Sequence, residues 1–155
     1  MNSFMRCVSR TARCASLYRG EKLEKLGLNG CHHTYILAIC RTPGISQEQL
    51  SRTIYINKSN VTRQLTFLEQ NGFVTRTPDG EDRRIMRVYP TQKALDAYPV
   101  VLEVLEQWQD FVMEDFSPEE REELTRLMQR VNEKAAAYAE GRLAPKERRE
   151  GGEVR

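Results

Sequence analysis

Six hydrogen-bonding side chains crowd into one short stretch of the chain: Lys58, Ser59, Asn60, Thr62, Arg63 and Thr66. Between and just beyond them, Val61, Leu65 and Leu68 recur at helical spacing, so a helix that buries these three turns the polar six outward. No acidic residue occurs from 58 to 67, and nothing on that face would repel a phosphate. Serine, threonine and asparagine can reach base edges or phosphates, and arginine can grip a guanine with two parallel hydrogen bonds. The competing reading is a plain solvated face, but exposed helices ordinarily mix in glutamate.

A second group lies in the charged loop over 79–84. Arg83 and Arg84 can lie over a nucleic-acid backbone or in a minor groove, whose concentrated negative potential attracts cations. The acids Asp79, Glu81 and Asp82 are out of place there unless one holds an arginine in position, and Asp82 is placed to do so for Arg84.

The remaining candidates are weaker. Cys14 is either a reactive thiol or a packed one. Cys31, His32 and His33 are adjacent on a helix and fan out by ~100° each, so they cannot converge on one ion, and no metal site is expected. His33, Tyr35 and Trp108 could line a pocket for a small molecule, although core packing explains them equally well. No Ser/His/Asp set or glycine-rich phosphate loop is visible, so no enzyme activity and no cofactor are expected.

The elements that must position these residues are mostly helical. Residues 3–26 read as a helix stopped by Gly27, and 31–41 as a more buried one ended by Pro43 and Gly44. Ser46 and Gln49 have the form of a capping box, with Ile45 set to staple onto Leu50, so a short helix starts at Ser46 and ends near Tyr55. Asn57 caps the next, which Asn71-Gly72 stops, with Phe73 as the apolar residue after the turn. Two short helices joined by a tight turn form a helix-turn-helix. β-prone runs over 73–77 and 85–89 flank the charged loop and make a hairpin, hence a wing. Thr91 caps a long helix expected to reach about Asp115, with Leu95, Tyr98, Leu102, Leu105, Trp108, Val112 and Phe116 near one side and Pro99 bending or interrupting it. Ser117-Pro118-Glu119-Glu120 opens the last helix, whose Leu124, Leu127, Met128, Val131, Ala135 and Tyr138 approach a heptad seam. Residues 141–155 are charged or small and read as a disordered tail. The fold class is mainly α with a small β-hairpin.

Charge follows the same division. The net charge of +2 over 155 residues hides +8 over residues 1–93 and −6 over 94–155, a polyanion-facing part followed by an acidic part. The apolar run around 35–40 is far short of the ~20 residues a membrane helix needs, and Arg6, Arg10 and Arg13 break up the N-terminal apolar residues, so a cytoplasmic protein without membrane contact is expected. Cys7, Cys14, Cys31 and Cys40 form no CxxC pair, which speaks against structural disulfides.

The order of elements resembles that of MarR-type transcriptional regulators, and so do particular residues. These are Gly44-Ile45-Ser46-Gln47-Glu48-Gln49-Leu50-Ser51, Asn57-Lys58-Ser59-Asn60-Val61-Thr62-Arg63, Leu68-Glu69-Gln70-Asn71-Gly72-Phe73-Val74-Thr75-Arg76 and Asp79-Gly80-Glu81-Asp82-Arg83-Arg84, with Pro90-Thr91-Gln92-Lys93 opening the next helix. The resemblance implies a homodimer whose first and last helices pack together, with residues 1–30 and 94–140 as dimerisation helices flanking a winged helix-turn-helix domain over 31–93. It implies a pseudo-palindromic operator in double-stranded DNA, with recognition helices in major grooves about 34 Å apart. By position, Ser59, Asn60, Thr62 and Arg63 match groove-facing residues, and Asp82 and Arg84 match a wing Asp-x-Arg pair. It further implies a repressor released by a small aromatic or phenolic effector. Cys14 and Leu17-Tyr18 are similar to the peroxide-sensing branch, so a thiol-based redox repressor is one alternative. A protein-interaction module that does not bind DNA is the other.

Overall fold

Glycines at helix ends and capping side chains at helix starts divide this chain into its elements, and the computed structural model describes residues 3–141. The chain splits after Val112 into two compact units. In the first, helix α1 spans Phe4–Leu23 and tightens into a 3-10 turn at Glu24–Leu26. Gly27 then takes a left-handed φ of 77° and returns its N–H to the Glu24 carbonyl. Gly30 is required for a different reason. A Cβ there would lie 2.2 Å from the Ser16 carbonyl oxygen, so the loop passes α1 at a distance only glycine allows.

Helix α2, His32–Arg41, buries His32, Tyr35, Ile36 and Ile39. The chain then forms strand β1, Ile45–Ser46, which the sequence reading missed because two residues cannot display a period-2 pattern. Ser46 also caps helix α3, Gln47–Ile54: its hydroxyl accepts the Gln49 N–H at 3.1 Å, and the Gln49 side chain accepts the Ser46 N–H at 3.1 Å. Tyr55 ends α3 in the left-handed region at φ 55°, and the buried Ser51 hydroxyl donates to the Ile56 carbonyl across the turn. Asn57 opens helix α4, Lys58–Gln70, by accepting the Asn60 N–H at 2.8 Å. Gly72 and Phe73 return their N–H groups to Glu69 and Leu68, and Phe73 closes the helix end as a buried apolar contact.

Strands β2, Val74–Pro78, and β3, Met86–Pro90, begin one residue later than the β-prone runs suggested. The sheet has three antiparallel strands in the order β1-β3-β2, with Ile45 opposite Val88 and Arg76 opposite Val88 on the other side. The expected hairpin is therefore extended by β1, which ties the wing to the start of α3.

Helix α5, Gln92–Val112, differs from expectation in three respects. It runs through Pro99 without a break, stops short of Asp115, and turns Ala94, Ala97, Val101 and Val104 inward. Leu95, placed on the buried stripe by spacing, is 44% exposed. Apolar residues occupy most of this helix's circumference, so periodicity could not choose a face. The alanines win because they let α2 approach closely: the Cys40 thiol lies 3.7 Å from the Ala94 carbonyl. The core of this unit joins α2, α3, α4 and α5 through Tyr35, Ile39, Leu50, Leu65, Leu68 and Val101, all fully buried.

The second unit contains helix α6, Pro118–Ala139, opened by a capping box in which Ser117 and Glu120 bond reciprocally at 3.2 and 2.9 Å. Its Leu127, Met128, Val131 and Tyr138 are exposed. The expected disordered tail lies outside the described residues apart from Gly141. No described helix is long and apolar enough to cross a membrane.

Candidate functional site

The outward face of α4 is organised by its own hydrogen bonds. Ser59 donates to the Asn57 side chain at 2.9 Å, Thr62 to the Lys58 carbonyl at 3.0 Å, and Thr66 to the Thr62 carbonyl at 2.9 Å. Arg63 donates to the Asn60 side-chain oxygen at 3.0 Å and stays exposed. Lys58 pairs with Glu48 of α3 at 3.2 Å, and Arg52 reaches the same carboxylate oxygen at 2.9 Å. Lys58 and, after it, Arg52 hold the Glu48 carboxyl below the ordinary carboxylate range. Exposed pairs of this kind contribute little stability, but this one fixes where the Lys58 ammonium sits.

In the wing, Asp82 holds Arg84 in a fork: one carboxylate oxygen accepts the Arg84 backbone N–H and Nε–H at 3.0 Å each, and the other accepts Nη2–H at 3.0 Å. The Arg84 side chain remains 89% exposed, so the pair aims it outward. Arg83 is also exposed. A second acid does a similar job one layer deeper. Asp79 accepts the Glu81 and Asp82 N–H groups at 2.8 and 3.4 Å, and its other oxygen takes Arg87 Nε–H at 2.7 Å. Arg87 continues to the Gly44 carbonyl at 3.3 Å, fastening the loop to the strand β1 edge. Lys58, Thr62 and Arg84 line one shallow groove with Glu48, Ile85 and Met86, which brings the helix and wing candidates onto one side of the molecule.

Sequence reasoning missed Arg76, Gln47 and Gln64. Arg76, with its side chain only 16% exposed, donates twice to one Glu69 oxygen at 2.7 and 3.1 Å, and its N–H takes the other at 3.1 Å. It also reaches Thr66 at 3.2 Å and Gln47 at 3.4 Å, so β2 braces α4 and the start of α3. The available signal was Glu69, the first acid after the acid-free span, seven residues before Arg76.

The three residues expected to line a pocket have different surroundings. His33 borders a cavity of about 570 Å³ with Leu37, Ala38, Arg41, Ile45, Ile54 and Leu105. Tyr35 is fully buried in the core with no hydrogen-bond partner for its hydroxyl, and burial pushes its phenol up to about 12. Trp108 packs 5.2 Å from the Tyr18 ring. Cys14 is an exposed free thiol on α1. Cys31, His32 and His33 diverge toward Asn29, Gln64 and the Gly30 carbonyl. No cluster of three metal-capable side chains occurs among the described residues.

Residues 32–86, which span the helix-turn-helix and most of the wing, match the model of the MarR family. The chain carries a MarR-family domain. Several similar proteins are described as transcriptional regulators. The HTH-type transcriptional regulator YybA of Bacillus subtilis (strain 168) is 28% identical over 131 residues, covering 84% of this chain and 87% of that one. A MarR transcriptional regulator from Methanosarcina mazei Go1 superposes with a TM-score of 0.82 at 27% identity, covering 86% of this chain and 96% of that one. A MarR-family protein of Listeria monocytogenes, crystallised with a 26mer DNA, has the same fold with a TM-score of 0.81 at 23% identity, covering 94% of this chain and all of that one. At this level residues 32–86 form a MarR-family domain, and the chain around them has the fold of solved MarR-family proteins.

Proposed function

We propose that the protein binds a pseudo-palindromic site in double-stranded DNA as a homodimer and acts as a repressor. Residues 31–93 form the DNA-binding part, and 1–30 with 94–140 supply the dimer contacts. The observation that carries the reading is the acid-free face of α4, with Ser59, Asn60, Thr62, Arg63 and Thr66 directed outward beside Lys58 and the wing arginine Arg84. Arg63 is the groove reader, and Arg83 and Arg84 grip the backbone or minor groove, with Asp82 orienting Arg84.

The test is fluorescence anisotropy on duplexes selected by the wild-type protein. Arg63→Ala should lose about 10-fold or more in discrimination between the selected site and a site changed at one base pair. Arg84→Ala should weaken all duplexes alike and reduce the slope of log affinity against log salt by about 1. Equal binding by wild type and both variants refutes these roles. Absence of salt-dependent binding to any duplex favours the protein-interaction module instead.

Release by a small effector is supported by the cavity beside His33. Its about 570 Å³ suits a small molecule, its walls are largely apolar, and Arg41 supplies one cation for an aromatic anion. A ligand that prefers the folded protein raises its melting midpoint, so thermal shift with small aromatic carboxylates and phenols, followed by loss of the DNA complex, identifies it.

A further inference from the structure

His32 is fully buried at the start of α2, yet both of its ring nitrogens are engaged. The Asn29 backbone N–H donates to Nδ1 at 3.1 Å. A backbone amide can only donate, so Nδ1 carries no proton and the hydrogen sits on Nε2. Nε2–H therefore donates to the Gln64 side-chain oxygen at 3.0 Å, which leaves the Gln64 NH₂ to donate at 3.4 Å to the Asn60 side-chain oxygen. Asn60 accepts a second hydrogen bond from Arg63 on that same oxygen. Amide orientations are ordinarily ambiguous, but here a backbone N–H at one end sets the sense of every bond in the series. The His32 ring also stacks on Phe67 of α4, with centroids 4.7 Å apart.

We infer that His32 is a positioning residue for the recognition helix, acting through Gln64 to hold the Asn60 oxygen inward so that Asn60 presents only its NH₂ to DNA. This rests on the groove-reading role of α4 proposed above and sharpens it. A free asparagine reads adenine with both amide atoms, accepting from N6 and donating to N7. With its oxygen already committed to Gln64 and Arg63, Asn60 is a donor alone. It selects an acceptor edge, namely purine N7, guanine O6 or thymine O4, and it disfavours the amino groups of adenine and cytosine at the facing position.

Two variants separate the ring from its nitrogens. His32→Phe keeps a stacking ring against Phe67 and removes both hydrogen bonds. His32→Gln loses the ring but places an amide nitrogen near the position of Nε2. In the DNA-free protein, His32→Phe should shift the Asn60 and Gln64 side-chain amide resonances, while His32→Gln restores them toward their wild-type positions. On DNA, His32→Phe should lose about 10-fold in discrimination at a single base pair with non-specific affinity unchanged. His32→Gln should keep that discrimination even though its melting temperature falls. A His32→Phe protein that discriminates as wild type does, or whose Asn60 amide signals stay in place, overturns this inference alone. Wild-type protein that selects no duplex overturns the groove-reading proposal and this inference with it.

Discussion

His33 is the residue whose surroundings most alter its chemistry. Burial first, then the Arg19 guanidinium, push its imidazole down to about 4, against the opposing pull of the hydrogen bond to the Gly30 carbonyl. Burial lowers His32 as well, with Gln64 opposing. Because the folded pKa lies below the unfolded value of about 6.5, the unfolded chain binds the extra proton in the interval between them. Stability is therefore lost as pH falls from about 6.5 to about 4 and levels off below that for this group. At about 1.4 kcal/mol per pKa unit, and with partial exposure reducing the effect, the loss from His33 is about 1–3 kcal/mol. The melting temperature should fall through that window, by about 2–4 °C for each kcal/mol in a chain of this size. His33→Gln should give a shallower slope, with the remainder carried by His32 and, towards pH 4, by paired carboxylates such as Glu69. A slope identical to wild type would show that the His33 proton is not excluded from the fold.

Elements here are held by two kinds of interaction, and only one kind could be read from the chain. Capping boxes, glycine stops and the Asp82–Arg84 fork join residues two to four apart, so their spacing is visible in the sequence. The Arg76–Glu69 pair, the Arg87–Asp79 pair and the two-residue strand β1 depend on where the chain returns after a turn, which local pattern does not encode. The inward face of α5 escaped for a different reason, since small alanines decided it by close approach to α2 while larger apolar residues were left outside. The wing makes the distinction testable. Asp79, with its side chain 16% exposed, fastens the loop backbone and Arg87, whereas Asp82 orients Arg84 alone. Asp79→Ala should lower the melting temperature, because it strands Arg87 and two backbone N–H groups, and should speed amide exchange across residues 79–87. Asp82→Ala should leave the melting temperature close to that of wild type and weaken only DNA binding. Equal melting temperatures for the two variants would place the wing's anchor elsewhere.

At the scale of the whole molecule, the apolar surface left outside each unit is what asks for a partner. In the first unit Phe4, Met5 and Leu17 of α1 and Phe111 of α5 are at least half exposed, and Leu17 is 77% exposed. In the second, Leu127, Met128, Val131 and Tyr138 repeat at helical spacing along α6 and are all exposed. Single exposed apolar residues are ordinary, but rows of them on terminal helices support the homodimer proposed above. The acidic excess over 94–155 fits that proposal, since it lies in the sequence away from the residues proposed to face DNA. The proposed homodimer would place two α4 helices on one duplex, so that the second would bind at an effective concentration set by the first rather than from bulk solution. Leu127→Glu with Val131→Glu puts charge into the proposed α6 seam without touching α4 or the wing. Sedimentation velocity should show wild type as a dimer and the double variant as a monomer with unchanged helical circular dichroism. Operator affinity should fall by about 10²–10⁴-fold, while binding to non-specific duplex changes far less. A double variant that stays dimeric removes α6 from the interface. A monomer with full operator affinity would mean that one winged helix suffices, and the pseudo-palindromic site would lose its physical basis.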